Sequence, residues 1–443
     1  MVIAKHQQYE TKPIDCWAKM KELRRARFRN NWEARSRGDL VIMGEHMGNK
    51  ALWTGFGTGH YANMSFSPYW TGVIRNPDET VRLLSYVDSK GYGQQVCGAL
   101  KIHLAHILMG VATKSPSGET IIPDFIYQDN FCPQVARLGH IVSKHLGVPY
   151  LYTESFRGSD PEKSREYQLE QVKENIERAE KITGMKYDDE KLIEAIKNEL
   201  QTAKLVSQIC ELNKSIPAPL DGRQLASLGL PAVTMSHQKE SVEFYKMLLD
   251  EVKYRVQNQI SARGFERKRL MMDTFPWVAP HLFRYPEKYG AVVVAGDHPF
   301  LNARFEADEN GDWVAITGID ELCSSIRTRE DALRATVGGG RVGKSKGGHG
   351  SQNWRIEQVV GEPIEMAKQW HCDGMILAGE RDCFQQMSFG LETKLLATSQ
   401  GMPAMFFYSV LADIRQFDAV GLQKRFDIFL GSLGLTKISA DEE

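Results

Sequence analysis

The sequence predicts an α/β protein made of two successive α/β units with additional helices. Short apolar runs of strand length alternate with helical apolar spacing, first over residues 121–153 and again over residues 291–433. Between them, residues 215–222 (Ser-Ile-Pro-Ala-Pro-Leu-Asp-Gly) have the proline and glycine content of a boundary. We therefore expect an N-terminal helical arm over residues 1–40, a first α/β domain with a helical extension over 41–215, and a second α/β domain over 216–443.

Composition places the chain among globular proteins. Its 443 residues are 42% hydrophobic and 25% charged, which excludes disordered and fibrous classes. The net charge of -1 gives no reason to expect a nucleic-acid partner. The first residues lack the apolar core of a signal peptide, and no stretch approaches the roughly 18 apolar residues of a membrane span. These features indicate a cytoplasmic protein with no membrane partner.

The first part of the chain combines a basic helix with a glycine-rich stretch. Residues 15–37 have the spacing of a basic amphipathic helix, which we interpret as a surface helix packed on the body or on a partner subunit, with its basic face solvated. The stretch Trp-Thr-Gly-Phe-Gly-Thr-Gly-His60 follows a short apolar run but lacks the strand and helix context of a dinucleotide site. We expect a loop whose backbone approaches a ligand or a neighbouring chain.

Two cysteines in the first unit stand at predicted helix starts. Cys97 precedes helical apolar spacing over residues 100–108. Cys132 precedes Pro133, a residue favoured in the first turn, and a helix over residues 135–146. Strands are predicted at residues 121–127 and 148–153. Two long charged helices then occupy residues 159–214, and Cys210 lies on their apolar stripe as a buried thiol.

The second unit offers polar side chains beyond a strand and a glycine-rich basic loop. Asp297 and His298 follow the apolar run at residues 291–295 and are candidates for substrate binding or proton transfer. Residues 338–345 match the phosphate-loop pattern, but they follow a charged helix instead of a strand. We expect no ATP site there. Lys344 and Lys346 instead suggest a loop over anionic groups such as the phosphates of a coenzyme A thioester, or a simple glycine-rich connection.

The third cysteine of interest is Cys383. It follows a predicted buried strand at residues 375–378 and precedes apolar spacing that turns helical. In an open α/β sheet this is the carboxyl edge, where ligands bind and where helix N-termini favour a thiolate. Cys97, Cys132 and Cys383 thus all stand at junctions next to predicted helix starts. They lack the close spacing of zinc ribbons or ferredoxins, so three separately packed thiols stay an open alternative to one shared site.

Short motifs around these cysteines resemble a known family. Cys-Asp-Gly-Met-Ile, Arg-Asp-Cys383, Gly-Met-Pro-Ala-Met and Asp-Ile-Arg-Gln-Phe are similar to the carboxyl-terminal signature of the 2-hydroxyacyl-CoA dehydratase superfamily. Cys97-Gly and Cys132-Pro stand where that family has its other two cluster cysteines. The motifs Trp-Thr-Gly-Phe-Gly and Tyr-Gly-Gln-Gln-Val-Cys97 most resemble the B-type core subunit of ATP-dependent benzoyl-CoA reductase. The similarity extends over nearly the whole chain.

The resemblance implies a fold, a cofactor and partners. It implies two flavodoxin-like, Rossmann-like parallel-sheet domains, with helices added at the N-terminus and between the domains, that hold a [4Fe-4S] cluster on Cys97, Cys132 and Cys383. Three thiolates leave one iron without a protein ligand, and an incomplete ligand set generally goes with reactivity. The implied partners are a homologous second core subunit, an ATP-hydrolysing activator and ferredoxin as electron donor.

The resemblance also implies an activity on an acyl-CoA substrate. We expect an aromatic acyl-CoA, such as benzoyl-CoA, to be reduced to a cyclic diene in single-electron steps, with Asp297, His298 and His60 as candidate proton donors. Many dehydratases carry an acidic pair after the penultimate strand, where this chain has Phe-Tyr-Ser-Val-Leu-Ala-Asp413. This departure favours ring reduction over water elimination from a 2-hydroxyacyl-CoA. Two alternatives stay open. The chain could be a subunit of a 2-hydroxyacyl-CoA dehydratase, or it could be a non-catalytic scaffold subunit.

Overall fold

A computed structural model describes most of the chain. The described residues are 8–44, 50–57, 60–63, 76–93, 96–111, 118, 120–129, 132–154, 161–273, 280–296, 303–336, 356–383 and 389–438. Residues 60–63, 161, 280–281 and 356–359 are described by their backbone. None of the described helices combines the length and the apolar character needed to cross a membrane.

The first sheet is parallel and lies in the first half of the chain. Its strands, in sequence, are β1 (Val41–Gly44), β2 (His60–Asn63), β3 (Phe125–Asp129) and β4 (Tyr150–Thr153). They are arranged in the order β2-β1-β3-β4. The helices of this part of the chain are α1 (Trp17–Glu33), α2 (Pro77–Ser89), α3 (Gly98–Leu108) and α4 (Pro133–Leu146).

The second four-stranded sheet is also parallel. It contains β5 (Lys268–Met272), β6 (Ala291–Ala295), β9 (Gly374–Glu380) and β10 (Ala404–Ser409). Its order, β6-β5-β9-β10, repeats that of the first sheet: second, first, third and fourth strand. In this flavodoxin-like order the chain reverses direction across the sheet between its first and third strands, where open α/β sheets bind ligands. The two-domain flavodoxin-like α/β prediction is confirmed at the level of the two sheets.

The remaining elements connect and cover the two sheets. The helices are α5 (Pro161–Thr183), α6 (Asp189–Leu212), α7 (Gly222–Leu228), α8 (Leu230–Thr234), α9 (Lys239–Gln257), α10 (Ile319–Ser325), α11 (Arg329–Thr336), α12 (Ile356–Gln369), α13 (Gly390–Ser399) and α14 (Ala419–Ser432). A small antiparallel pair consists of β7 (Phe305–Ala307) and β8 (Trp313–Ala315). Short 3-10 helices occupy Arg35–Arg37, Ala51–Phe56, Pro280–Tyr289 and Ile414–Gln416.

Segments from each half pack into the core of the other. Ile14 and Leu23 of the N-terminal arm belong to the apolar core around α9 and the second sheet. Conversely, Ile319 and Leu333 lie in the core beside the first sheet. At the predicted boundary, the buried Arg269 guanidinium donates to the carbonyl oxygens of Asn213 and Ser215. The division at residue 215 therefore stays a prediction, although each sheet lies wholly on one side of it.

Three details differ from the expectations. Helix α1 packs on the body of the protein as predicted and exposes most of its basic side chains, but Arg27 is buried with Met20 and Leu23. The glycine-rich stretch is predicted to be a loop whose backbone approaches a ligand or a neighbouring chain, but Trp53 lies in a buried 3-10 helix against Phe125 and Tyr127. The apolar spacing after Cys383 gives a helix that begins only at Gly390 (α13), and residues 384–388 lie outside the described part of the chain.

Candidate functional site

Two of the three cysteines occupy equivalent places in the two sheets. Cys132 follows the carboxyl end of β3, the third strand of the first sheet, and occupies the N-cap position of α4. Cys383 follows the end of β9, the third strand of the second sheet, at the same offset in sequence. Both cysteines therefore lie at carboxyl edges beside the strand pair at which the chain changes direction, where ligands bind in this class of fold.

Cys97 lies at the N-terminus of α3, and two hydrogen bonds connect this helix start to the other cysteine-bearing segments. The Cys97 N–H donates to Gln134 Oε1 at 2.8 Å, which links it to the first turn of α4 beyond Cys132. The Gly98 N–H donates to Asp382 Oδ2 at 3.0 Å, which links it to the turn that carries Cys383. The same carboxylate accepts the Leu411 N–H at 2.7 Å. These bonds bring all three segments to one place.

The surroundings of Cys97 disfavour its thiolate form. Burial raises the pKa of the Cys97 thiol well above its ordinary value, a hydrogen bond with the Leu100 backbone acts in the opposite direction, and nearby Asp382, Cys383 and Cys132 add to the increase. Cys97 and Cys132 are buried, whereas Cys383 is half-buried, and all three are thiols without disulfide bonds. The structure thus brings together the three segments that carry the cysteines singled out in the sequence, and a site shared by the three thiols stays a prediction.

The donor set fits the iron–sulfur cluster that the resemblance implies. Thiolates in these apolar surroundings, with Val96, Leu100 and Ala412 nearby, need positive charge to compensate them. Among the described residues, no three His, Cys, Asp or Glu side chains converge on one point as a single metal ion requires. A cluster takes its cysteines on different irons, so its ligands are spaced more widely than those of a single ion.

An ionic network fixes α3 against the second half of the chain. Lys101 Nζ, on a side chain only 3% exposed, lies 2.7 Å from Asp88 Oδ1. Arg415 bridges Asp88 at 2.9 Å and Asp413 at 2.7 Å. Burial opposes ionisation of Asp413, but hydrogen bonds from Arg415 and Gln416 outweigh it and hold the pKa of that carboxyl below its ordinary value. The network secures the helix that begins at Cys97.

Sequence reasoning missed three polar residues of this site: Gln134, Asp382 and Glu380. Glu380 ends β9 and is fully buried, and burial followed by the neighbouring Asp382 raises its pKa well above the ordinary carboxyl value. A signal was present, because Asp382 and Gln134 stand within two residues of a candidate cysteine. Their partners, however, are distant in sequence and could not be read from it.

The other candidate residues are placed as follows. Asp297, His298, Lys344 and Lys346 lie outside the described residues, as does the glycine-rich stretch 338–345. His60 is the first residue of β2 and is paired in register with Val41 at the start of β1. Its backbone is thus at the amino edge of the first sheet, whereas Cys132 lies beyond the carboxyl edge. This position does not support contact between His60 and the cysteine site.

Comparison with known proteins places the chain in a family. It is 26% identical to the (R)-phenyllactyl-CoA dehydratase alpha subunit of Clostridium sporogenes over 48% of this chain and 53% of that subunit, so the match spans about half of that relative. It is 26% identical to the (R)-2-hydroxyisocaproyl-CoA dehydratase alpha subunit of Clostridioides difficile over 78% of this chain and 79% of that subunit. It is 22% identical to the B-type benzoyl-CoA reductase subunit of Thauera aromatica over 77% of each chain.

One family model matches more than half of the chain. The model described as 2-hydroxyglutaryl-CoA dehydratase, D-component, matches residues 72–332, which include Cys97 and Cys132. The three relatives are all subunits of acyl-CoA dehydratases or of an acyl-CoA reductase. The chain belongs to the 2-hydroxyglutaryl-CoA dehydratase D-component family.

Proposed function

We propose that the chain is the iron–sulfur core subunit of an enzyme that transforms a coenzyme A thioester by single-electron chemistry. The observation that carries this proposal is that the segments with Cys97, Cys132 and Cys383 are joined through Gln134 and Asp382. Cys132 and Cys383 lie at the carboxyl edges of the two sheets, and Cys97 lies at the start of α3. Family membership supports the thioester substrate, because the related subunits are named for acyl-CoA enzymes.

In this proposal the residues of the site hold a [4Fe-4S] cluster and shield it. The bound cluster supplies low-potential single electrons. Cys97 and Cys132 precede the first turns of α3 and α4, where the helix dipole favours negative charge on sulfur. The apolar residues around Cys97 exclude water, and Asp382 and Gln134 fix the relative positions of the three segments.

The first candidate reaction is reduction of an aromatic acyl group such as benzoyl to a cyclic diene. The alignment with the B-type benzoyl-CoA reductase subunit over most of both chains supports it. So does the stretch 407–412 beside the site, which contains no acidic residue before Asp413, itself paired with Arg415. Asp297 and His298 stay proposed proton donors, and Lys344 and Lys346 stay proposed contacts to the CoA phosphates. His60 is no longer proposed, because its backbone lies at the edge of the first sheet opposite to Cys132. A homologous second subunit, an ATP-hydrolysing activator and ferredoxin complete the proposed system.

The second candidate is elimination of water from a 2-hydroxyacyl-CoA by the same cysteine site. The family model and the dehydratase alpha subunits, which are more similar to this chain than the reductase subunit, favour it. The products separate the two reactions. In an anaerobic assay with the activator, reduction adds two electrons and two protons to the ring of benzoyl-CoA, whereas dehydration converts a 2-hydroxyacyl-CoA to an enoyl-CoA with loss of water and no net change in electrons.

The cluster is tested by measuring iron and acid-labile sulfide per chain in protein purified without oxygen together with its co-expressed partner. We expect about four irons per chain and a strong decrease in the Cys97→Ala, Cys132→Ala and Cys383→Ala variants. Cys210→Ala is the matched control, because Cys210 is buried on α6 in a different core cluster. Folded protein without iron, or equal iron in all four variants, would overturn the proposal and return the chain to a scaffold role.

A further inference from the structure

Arg27, on helix α1, is a buried arginine without a counter-ion among the described residues. Its side chain is 8% exposed. In the part of the chain that the structure describes, it makes no hydrogen bond and no ion pair, and its guanidinium carbon lies 5.6 Å from the ring centre of Phe28. Burial alone lowers the pKa of Arg27 to about 10. A guanidinium has five N–H donors and stays charged, so its burial without acceptors costs free energy.

A second buried cation lies close by. Lys50 is also 8% exposed and precedes the 3-10 helix Ala51–Phe56. The pKa of Lys50 is lowered to about 8, chiefly by burial and in part by the positive charge of Arg27, while Glu199 and Asp129 act in the opposite direction. At Arg27, by contrast, no described acid raises the pKa, and burial is the one cause of its shift. Among the described residues, Arg27 thus has no acidic partner for its positive charge.

The position of this pair points to a ligand. Lys50 follows β1, and Asp129 ends β3 just before Cys132. The order β2-β1-β3-β4 makes β1 and β3 the strands between which the chain changes direction, so their carboxyl ends flank the crevice used for ligands in open α/β sheets. Helix α1, which carries Arg27, packs against β2, α8 and α9, and Arg27 is close enough to Lys50 for their positive charges to interact.

We propose that Arg27, with Lys50 beside it, binds an anionic oxygen group of the coenzyme A thioester substrate. The planar guanidinium suits bidentate binding of a phosphate or a carboxylate. Two groups of such a substrate have this chemistry: the phosphates of coenzyme A and a carboxylate at the end of the acyl chain. The identity of the ligand rests on the proposed function, whereas the presence of an anion site rests on Arg27 itself.

The test measures binding and stability in the full chain purified without oxygen. Calorimetric titrations would use coenzyme A, 3′-dephospho-coenzyme A, butyryl-CoA and succinyl-CoA, and thermal unfolding would be followed with and without inorganic phosphate. The variants are Arg27→Met, which keeps the length of the side chain but removes its charge, and Arg24→Met as the control. Arg24 is exposed on the same helix.

We expect Arg27→Met to weaken binding by about tenfold or more, whereas Arg24→Met should bind as the unchanged protein does. Loss of affinity for all four compounds would identify the coenzyme A phosphates as the bound group. A loss for succinyl-CoA alone would identify the acyl carboxylate. Phosphate should raise the unfolding temperature of the unchanged protein more than that of Arg27→Met. Without ligand, the variant should be at least as stable, because an uncompensated buried charge is removed.

Two results separate this inference from the proposed function. If Arg27→Met binds every thioester as the unchanged protein does, the Arg27 site is wrong while a coenzyme A enzyme remains supported. If neither protein binds a coenzyme A compound but phosphate stabilises only the unchanged protein, the anion site stands and the thioester substrate is wrong. A lower unfolding temperature of Arg27→Met with unaltered binding would assign Arg27 a structural role, such as pairing with an acid of a partner protein, and would overturn the inference.

Discussion

The carboxylate of Asp382 accepts the backbone N–H of Gly98 at 3.0 Å and that of Leu411 at 2.7 Å. One side chain beside Cys383 thus fixes the residue after Cys97 and the segment that follows β10. The relative position of two candidate cluster ligands depends on a carboxylate that is not itself among the three cysteines.

Replacement of Asp382 tests this relationship. We expect Asp382→Ala to lower the retention of iron by about tenfold or more, as loss of a residue that orients metal ligands commonly does. Asp382→Asn keeps one acceptor oxygen and should retain more iron than the alanine variant. The measurement is iron per chain and the visible spectrum after anaerobic gel filtration.

Asp418→Ala is the matched control for Asp382. Its carboxylate also accepts a backbone N–H, that of Gly421 at 2.8 Å, but it caps helix α14. The Asp418→Ala substitution should lower the free energy of unfolding by about 1 kcal/mol without loss of iron. Equal iron in Asp382→Ala and Asp418→Ala would contradict the role given to Asp382.

Gly98 allows the close approach between α3 and the second half of the chain. A Cβ at this position would lie 2.6 Å from the Asp413 backbone nitrogen and 2.9 Å from Asp382 Oδ2. Because backbone atoms cannot move aside cheaply, we expect Gly98→Ala to destabilise the protein by about 3 kcal/mol and to lower its iron content. The free energy of unfolding in urea and iron per chain would be measured.

Gly431, in helix α14, serves as the control glycine, because a Cβ there would meet no described atom within 4 Å. Gly431→Ala should be neutral or stabilise the protein by about 0.5 kcal/mol. If Gly98→Ala behaves like Gly431→Ala, the contact between the two halves is looser than the structure indicates.

The buried Lys101 depends on Asp88 as its counter-ion. Asp88→Asn leaves Lys101 charged and poorly compensated, and we expect a loss of about 3 kcal/mol in the free energy of unfolding. Adding Lys101→Met to Asp88→Asn should recover part of that loss, because the unpaired charge is then gone. A double-mutant cycle in urea measures the coupling, and a purely additive result would show that the pair contributes nothing.

The lowered pKa of Asp413 should make the stability of the protein depend on pH. Its pKa in the folded protein lies below the ordinary value of about 3.9, so its ionised form stabilises the folded state at neutral pH. That contribution is lost as the pH falls below about 4 and through the folded-state pKa. The unchanged protein should therefore be more stable than Asp413→Asn at pH 7, and the difference should shrink towards pH 3. A difference that stays constant with pH would contradict this assignment.

The sequence by itself determined the α/β class, strands such as β3, β4 and β9, and the placement of Cys97 and Cys132 at helix starts. These are local properties. Apolar spacing with period 3.6 marks α4, and Pro133 in its first turn fixes where that helix begins. Family motifs near Cys383 then suggested which cysteines belong together, although the spacing along the chain left that open.

Only the tertiary structure decided which distant groups contact each other and which side chains are buried. The repeated strand order places Cys132 and Cys383 at equivalent carboxyl edges, and the contact of Asp382 with Gly98 joins residues from opposite halves of the chain. Helix α1 has a basic sequence that looks solvated, yet packing buries Arg27 within it. Burial and long-range hydrogen bonds arise from how distant segments pack together, so the local pattern of residues cannot specify them.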